Sequence, residues 1–174
     1  MTYQIDSKHS AARFKVRHMM IAHVGGEFNA VSGTVDFDPA KPEQSKIDAS
    51  IDVHSLHTGD PQRDGHIKGG DFFDATAFPT ITFKSAKVAA AGSGYKVTGD
   101  LTLHGVTKEV TLSVESVSPE ITDPWSGLRR GLSASTTINR KDFGMGWNAP
   151  AGGGVMLSEN IEIVLDLEMT RAAA

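Results

Sequence analysis

The stretch NIEIVLDLEM, residues 160–169, repeats its apolar residues at every second position. Ile161, Ile163 and Leu165 fall on one side of an extended chain, while carboxylates such as Glu162 and Asp166 fall on the other. Side chains of a β-strand point alternately to opposite faces. This period of two therefore predicts a strand with one apolar face and one face in water.

The same alternation recurs along the chain and predicts about eight strands in total. It is regular in KIDASIDV (46–53), YKVTGDLTL (95–103) and EVTLSVE (109–115). It is less regular over residues 13–21, 27–37, 80–88 and 128–138, where slips in the apolar phase indicate a bulge or a bend. Turn residues separate the runs at Gly25-Gly26, Asp38-Pro39, 92–94, His104-Gly105 and 123–127.

One stretch, QRDGHIKGGDFFDATAFPTITF (62–83), is not strand-like at its start. Asp60 as a cap, Pro61 at the first helical position and helical spacing over residues 63–73 predict one short helix. Glycines at 65, 69 and 70 oppose it, since each costs up to about 1 kcal/mol relative to alanine in a helix.

A single short helix cannot cover eight strands, so the apolar faces must bury against each other. Either two sheets stack or the sheet closes into an antiparallel barrel. A closed barrel of eight strands has an interior that is filled by side chains or holds one small ligand. The interior is therefore the candidate site of an all-β protein.

Composition narrows the class of protein. A chain of 174 residues predicts one domain over 1–174, and the absence of cysteine excludes thiolate chemistry and disulfides. A net charge of −4 without a basic cluster argues against nucleic acid as a partner. No apolar run suits a secretory signal or a membrane span, so we expect a cytoplasmic protein.

The polar residues around the helix and the histidine pairs allow catalytic, structural or metal-binding roles. Asp64 and His66 are a conceivable general base with its orienting carboxylate, but no nucleophile lies in a recognisable context. Alternatively, Arg63, Asp64 and His66 form a polar latch that pins the helix. The pairs His54/His57 and His18/His23 have spacings that place their members on opposite strand faces, so no metal site is predicted.

The glycine-rich stretch GMGWNAPAGGG (144–154) lacks the lysine and following helix of a phosphate-binding loop. A flexible mouth for a ligand is the better interpretation of this segment. Phe72 and Phe73 are then either ordinary core residues or a plug at one end of a hollow barrel.

Several segments together resemble the YceI-like, polyisoprenoid-binding family over essentially the whole chain. They are, in order, DSKHSAARFKVRHMM (6–20), GEFNAVSGTVDFDP (26–39), TGDPQRDGHIKGGDFFDATAFPTITF (58–83), VTGDLTLHGVTKEVTL (97–112) and INRKDFGMGW (138–147). The most specific are the RD-x-H run before the double phenylalanine, the GDL-x-x-HG-x-T turn and the NR-x-DFG segment.

The resemblance implies an eight-stranded lipocalin-like barrel with a helix near one mouth and a tunnel for a long prenyl chain or similar lipid. It implies no catalytic activity and no cofactor beyond the bound lipid, and a homodimer is common among similar proteins. An enzyme that acts on an isoprenoid or quinone through Asp64 and His66 is the alternative.

The expected ligand-binding residues come from the apolar strand faces, the segment after the helix and the NR-x-DFG region. They are Phe14, Val16, His18, Ile51, Val53, Phe72, Phe73, Ile81, Phe83, Leu101, Leu103, Leu112, Phe143, Trp147, Ile163 and Leu165. His18 shares a face with Phe14 and Val16 and is expected either to bond a lipid head group or to be a satisfied structural histidine.

Overall fold

The computed structural model describes residues 1–172, which form strands through most of their length. The first strands are β1 (Thr2–Ile5), β2 (Ala11–His18), β3 (Ala22–Phe28), β4 (Val31–Asp36), β5 (Lys46–Asp52), β6 (Leu56–His57) and β7 (Thr80–Ala91). The others are β8 (Gly94–Leu103), β9 (Val106–Val117), β10 (Ile121–Thr122), β11 (Leu128–Asn139), β12 (Pro150–Ala151), β13 (Gly154–Val155) and β14 (Asn160–Arg171). Within this part of the chain, α1 (Pro61–Lys68) is the single α-helix, and 3-10 turns cover Pro42–Gln44, Val53–Ser55 and Arg140–Phe143.

The main sheet closes on itself through β11 and β14. These strands pair antiparallel over their full length, from Leu128 opposite Arg171 to Asn139 opposite Asn160. The circuit continues from β11 through β9, β8, β7, β5, β4 and β1 back to β14. This is the closed antiparallel barrel of eight strands with one short helix that the resemblance implied, and it is one of the two arrangements that the alternation allowed.

Two strands of the barrel are interrupted, one between β1 and β2 and the other between β3 and β4. β1 and β2 both pair with β14 on one side. On the other side β1 pairs with β4 and β2 pairs with β3, so the four strands form one long hairpin with a break in each arm. Beyond the break between β1 and β2, the sheet continues through β2, β3 and β6, and we call the end of the barrel beside these strands the wide end. The helix α1 follows β6 and therefore lies at this end of the barrel.

The other end of the barrel is closed by packed side chains. Tyr3 and Met169 are fully buried there, and the guanidinium of Arg130 lies 5.9 Å from the Tyr3 ring centroid and 5.6 Å from that of Phe37. Arg130 Nε also donates to the Tyr3 hydroxyl at 2.9 Å. These contacts pack the end of the barrel opposite α1.

The helix begins as the sequence predicted but ends sooner. The Asp60 carboxylate accepts hydrogen bonds from the amides of Gln62 at 2.9 Å and Arg63 at 3.2 Å, and Pro61 opens the helix. The helix stops at Lys68, because Gly69 leaves the helical region with φ −79° and ψ −179°. The expected continuation to Phe73 is wrong, since the paired glycines favour a turn over a further helical turn.

Irregular strands account for the other differences from the sequence prediction. Gly25 and Gly26, expected to form a turn, lie within β3 opposite Lys15 and Phe14. The strand expected to reach Ile21 ends at His18, because the next residues turn the chain back with positive φ. The run over residues 27–37 is divided between β3 and β4, and β1 was missed because four residues are too short to show a period.

Over residues 1–172 no helix combines the length and the apolar character that are required to cross a membrane.

Candidate functional site

The interior of the barrel contains a cavity of about 550 Å³. This volume lies within the range of roughly 300–1,000 Å³ that is typical of small-molecule sites. The inward residues of β5 show how the wall is built, since Ile47, Ala49 and Ile51 all line the cavity at alternate positions. The barrel is therefore not filled by its own side chains, and its free space is mainly apolar.

Most of the expected ligand-binding residues lie on the cavity wall. They are Phe14, Val16, His18, Ile51, Phe72, Phe73, Ile81, Phe83, Leu101, Leu103, Leu112, Trp147, Ile163 and Leu165. The structure thus brings side chains from the strands, from the segment after α1 and from the glycine-rich loop to one surface.

Val53 and Phe143 are not on this wall. Val53, which is 1% exposed, opens a 3-10 turn after β5, and its amide donates to the Pro79 carbonyl at 2.9 Å. Phe143, which is 2% exposed, ends the 3-10 turn after β11, and its carbonyl lies 2.9 Å from His104 Nδ1. Strand alternation stops where the backbone turns, so Val53 is not on the wall. Phe143, which the NR-x-DFG segment suggested, is buried in the 3-10 turn that follows β11.

An aromatic cluster joins the helix to the glycine-rich loop at the wide end. The ring of Trp147 lies 5.0 Å from that of His66 and 5.3 Å from that of Phe72, measured between centroids. His66 Nε2 lies 2.9 Å from a carboxylate oxygen of Asp71. Because Trp147, His66 and Phe72 all line the cavity, this cluster forms one end of it.

A second aromatic chain continues along the wall from the segment after the helix. The Phe73 ring meets that of Phe28 edge-on at 5.4 Å, and Phe28 lies 5.7 Å from Phe14. Phe72 and Phe73 are adjacent in sequence, yet they contact different aromatic neighbours. Together they hold the turn after α1 against the barrel interior.

The polar latch is built around Thr58, which follows β6. The Asp64 carboxylate accepts from the Thr58 amide at 2.8 Å and from its hydroxyl at 2.6 Å. Arg63 Nε donates to the same hydroxyl oxygen at 2.8 Å, and Nη2 donates to the Thr58 carbonyl at 3.0 Å. The hydrogen bond from the Thr58 hydroxyl is the main cause that lowers the pKa of Asp64 below its usual value. These bonds tie the helix to the sheet.

Asp64 and His66 have separate partners in this arrangement. Asp64 bonds to Thr58, whereas His66 bonds to Asp71. The orienting contact that a general base would need from Asp64 is therefore not formed, and a lowered pKa makes the carboxylate a weaker base.

The residues of the cavity wall that can carry a full charge near neutral pH are all potential cations. The side chains that can carry a positive charge are Arg13, His18, Arg63, His66 and Arg140; Tyr95 is also on the wall, and no aspartate or glutamate within residues 1–172 joins them. His18 makes no hydrogen bond from its ring to another described residue, so its expected role as a satisfied structural histidine has no visible partner. Its backbone pairs with Leu157 of the glycine-rich region.

Arg140 was not among the residues expected from the sequence. It is 2% exposed, and it donates from Nε to the Ser158 carbonyl at 3.0 Å and from Nη1 to the carbonyls of Met145 and Trp147 at 2.7 Å each. Because Arg140 belongs to the NR-x-DFG segment, the sequence contained a signal that could have indicated it as a residue of the cavity wall. The wall residues Ile47 and Ala49 were also missed, although strand alternation marks both as inward.

One group of side chains has the spacing of metal ligands. Donor atoms of Asp6, His9 and Glu168 lie within 4.8 Å of one another. However, Arg129 already supplies a cation there: its Nη1 lies 2.9 Å from Asp6 and also bonds to Glu168, and its Nε lies 2.7 Å from Asp123. This network ties the break between β1 and β2 to β11 and β14. Neither histidine pair considered from the sequence contributes to it.

A closed antiparallel barrel with an apolar cavity and a helix over its wider end defines a lipocalin-like class of protein. Within that class, the chain belongs to the YceI-like domain family, whose family model matches residues 3–169. A UPF0312 protein of Pseudomonas aeruginosa is 36% identical over 172 residues, which cover 97% of this chain and 86% of the relative.

Solved structures agree with this assignment. BcnA of Burkholderia cenocepacia superposes with a TM-score of 0.83 at 29% identity, covering 94% of this chain and 98% of BcnA. A polyisoprenoid-binding domain from Saccharophagus degradans, implicated in plant cell wall breakdown, superposes with a TM-score of 0.68 over 96% of this chain and 97% of its own. Its identity to this chain is 18%, so the likeness to that domain shows a common fold.

Proposed function

We propose that the protein binds a polyisoprenoid or a similar long-chain lipid in the barrel cavity and carries or stores it without converting it. The observation that carries the proposal is the apolar cavity of about 550 Å³ inside a closed barrel. A buried methylene contributes about 0.8 kcal/mol, so one five-carbon prenyl unit contributes up to ~4 kcal/mol before ordering costs. A few buried units suffice for tight binding.

The shape of the cavity supports a long ligand that enters from one side. At one end of the barrel Tyr3 and Met169 are fully buried and Arg130 bonds to Tyr3. At the other end lie the half-buried Trp147 and the exposed His66. An apolar wall distinguishes lipid ligands by the length and the width of their chains. We therefore expect several lipids of similar chain to bind.

The family and the fold support binding more than catalysis. The family shares a binding-domain fold, and one structural neighbour is a polyisoprenoid-binding domain. The separate partners of Asp64 and His66 do not favour the alternative, an enzyme that acts on an isoprenoid or quinone.

Extraction of the purified protein with organic solvent, followed by mass spectrometry, tests the proposal. We expect a prenyl or other long-chain lipid at close to one molecule per chain. Protein stripped of lipid should regain a prenol such as farnesol at the same ratio. If the protein is empty as isolated and also takes up no added lipid, the proposal is wrong.

A further inference from the structure

Apolar side chains are exposed together at one place on the molecule. The turn between β2 and β3 contains Met19, Met20 and Ile21, all of them exposed, and Ile21 is exposed by 80%. The hairpin of β12 and β13 adds the exposed Val155. The two hairpins touch, because the Met19 amide donates to the Met156 carbonyl at 2.7 Å. We call Met19, Met20, Ile21 and Val155 the apolar tip, and such a group of exposed apolar side chains is a common sign of an interaction surface.

The backbone of the turn between β2 and β3 adopts a conformation that does not suit these residues. Met19 has a φ of 52° and Met20 a φ of 60°, and the Ile21 amide donates to the His18 carbonyl at 3.2 Å. Asparagine and glycine are preferred where two successive turn residues need positive φ, because most other side chains are strained there. Exposed methionines improve neither the turn nor the core, which points to a role outside the fold.

The apolar tip adjoins the wall of the cavity at the wide end. His18, which immediately precedes the turn, lines the cavity, as do Val24 on β3 and Met156 beside Val155. The backbone of His18 pairs with Leu157, which is also a wall residue. The exposed apolar side chains therefore lie directly beside the residues that enclose the ligand space.

The segments around the apolar tip lack carboxylates, although the chain has 21 acidic residues and a net charge of −4. Residues 11–26 contain three lysines or arginines and two histidines but no aspartate or glutamate. Residues 143–158 contain no aspartate, glutamate, lysine or arginine. The tip is therefore a local region without negative charge on an acidic protein.

Arg17 is the basic residue of β2 that has no counterion. Arg13 and Lys15 pair with carboxylates of β3 and β14, whereas Arg17 has no carboxylate oxygen within 4.0 Å among residues 1–172. Arg17 and His23 are opposite residues in the ladder of β2 and β3, and both are exposed. Like charges at opposite positions repel each other, so an anionic partner beside them would be favourable.

We propose that the apolar tip docks on a lipid bilayer that contains anionic phospholipids, with its apolar side chains among the acyl chains and Arg17 at the level of the phosphates. The docked barrel presents its wide end to the bilayer, so that a lipid passes between bilayer and cavity without crossing water. The inference rests on the lipid-binding function proposed above and adds the surface through which lipid is exchanged. Apolar residues beside basic ones are the combination through which peripheral proteins bind membrane surfaces.

A bilayer fits these observations better than a second copy of the chain. Two copies that met through this surface would bring the same cations together, with no carboxylate of the adjoining segments to separate them. Four apolar side chains are also few for a stable dimer, in which each partner commonly contributes about 20 residues or more.

Flotation of the lipid-free protein with vesicles tests the proposal. Vesicles of phosphatidylcholine with about one quarter phosphatidylglycerol supply the anionic surface, and pure phosphatidylcholine vesicles supply the neutral comparison. We expect the protein to float with the anionic vesicles, to bind the neutral vesicles more weakly, and to be released from the anionic ones as salt rises. A protein that binds neither kind of vesicle overturns the proposal.

Two variants separate the apolar and the charged contributions. Met20→Asn combined with Ile21→Ser removes exposed apolar area, and asparagine suits the positive φ of residue 20, so the turn is preserved. The affinity of this tip variant for anionic vesicles should fall about tenfold or more. Arg17→Gln should lower the affinity for anionic vesicles about fivefold and leave that for neutral vesicles unchanged.

Matched controls come from the end of the barrel opposite α1. Trp125→Ala removes an exposed apolar side chain from the turn before β11, and Lys87→Gln removes an exposed positive charge from the half of β7 remote from α1. Both should keep their vesicle affinities within about twofold of the parent. Equal losses in a control and in its counterpart at the tip would show that the docking surface is assigned wrongly.

Uptake of farnesol separates this proposal from lipid binding itself. Farnesol supplied in anionic vesicles should enter the tip variant several times more slowly than the parent, whereas farnesol supplied in solution should enter both at similar rates. Equal uptake from vesicles by the two proteins contradicts the docking proposal and leaves lipid binding intact. If neither protein takes up farnesol from solution, lipid binding is wrong, and flotation alone decides whether the tip docks on a bilayer.

Sedimentation velocity measures the oligomeric state of the parent and of the tip variant. We expect the two proteins to have the same oligomeric state. A parent dimer that becomes a monomer in the tip variant would show that the apolar tip binds a second copy, and the proposal would then be wrong.

Discussion

The ring of His66 stands edge-on to the ring of Trp147, with centroids 5.0 Å apart and planes at 87°. His66 belongs to α1 and Trp147 to the glycine-rich loop, so this contact joins two segments that are far apart in sequence. Phe72 adds a third ring beside them, 5.2 Å from His66. All three residues line the cavity, so this contact forms part of one end of it.

Trp147→Ala should loosen that end. Aromatic pairs contribute about 0.5–1.5 kcal/mol beyond their buried area, so we expect a loss of at least about 1 kcal/mol in the free energy of unfolding. We also expect that Nile red, a neutral fluorescent dye bound in the cavity, is released faster from the variant. Urea denaturation and stopped-flow fluorescence measure the two effects. Trp125→Ala is the control, because Trp125 is 82% exposed and its loss should change neither quantity appreciably.

Gly26→Ala should disturb the wall from the neighbouring strand. A Cβ atom at Gly26 would lie 2.6 Å from Phe14 Cζ and 2.9 Å from Thr58 Cγ2, and the Phe14 ring is itself packed against Phe28. We expect a destabilisation of about 1 kcal/mol or more from overpacking. Gly70→Ala is the matched substitution, because a Cβ there meets no atom within 4 Å. Equal midpoints in urea for the two variants would contradict this account of Gly26.

Ala49→Phe should occupy the cavity. Ala49 lies between Ile47 and Ile51 on the inward face of β5, so the new ring enters free space. We expect the amount of lipid recovered per chain to fall by about half or more, while the lipid-free protein stays within about 1–3 kcal/mol of the parent in stability. Native mass spectrometry measures the bound lipid.

Ser50→Phe adds the same ring to the outer face of β5. The Ser50 hydroxyl lies 3.1 Å from that of Ser32 on the outside of the barrel. Lipid content should therefore match that of the parent. A similar loss of lipid in both variants would show that the cavity is not the binding site.

Asp6 should contribute to stability in a defined pH range. Hydrogen bonding to His9, with further bonds to Lys8 and Arg129, lowers the pKa of Asp6 from 3.8 to about 2. Because the pKa is lower in the folded state, the stabilisation is complete above about pH 4 and is lost as the pH falls from there to about 2. Asp6→Asn should therefore be less stable than the parent protein at neutral pH, and its free energy of unfolding should change less with pH over that range.

The measurement is urea denaturation at several pH values between about 2 and 6. Asp100→Asn removes the same charge from an exposed position. Its free energy of unfolding should therefore depend on pH with the same slope as that of the parent protein. If Asp6→Asn retains the slope of the parent as well, the carboxylate does not have the role assigned to it.

The sequence determined the strands, and it limited the architecture to a closed barrel or two stacked sheets. Alternation in residues 160–169 predicts an inward face, and β14 does place Ile161, Ile163 and Leu165 on the cavity wall. Because one short helix cannot cover eight strands, the apolar faces of the strands must bury against each other. The same local rules located the start of α1 at Asp60 and Pro61, because capping depends on adjacent residues.

Tertiary structure alone decided which residues meet at the wide end. Nothing in the spacing of the chain indicates that Trp147 contacts His66, that Asp64 bonds to Thr58 rather than to His66, or that Arg140 is buried against backbone carbonyls. Val53 shows the same limit, since alternation fails where the backbone turns, and Phe143 shows that a motif does not by itself give the position of a side chain. Strand periodicity is a local property, whereas a contact between distant segments depends on how the closed barrel brings their ends together.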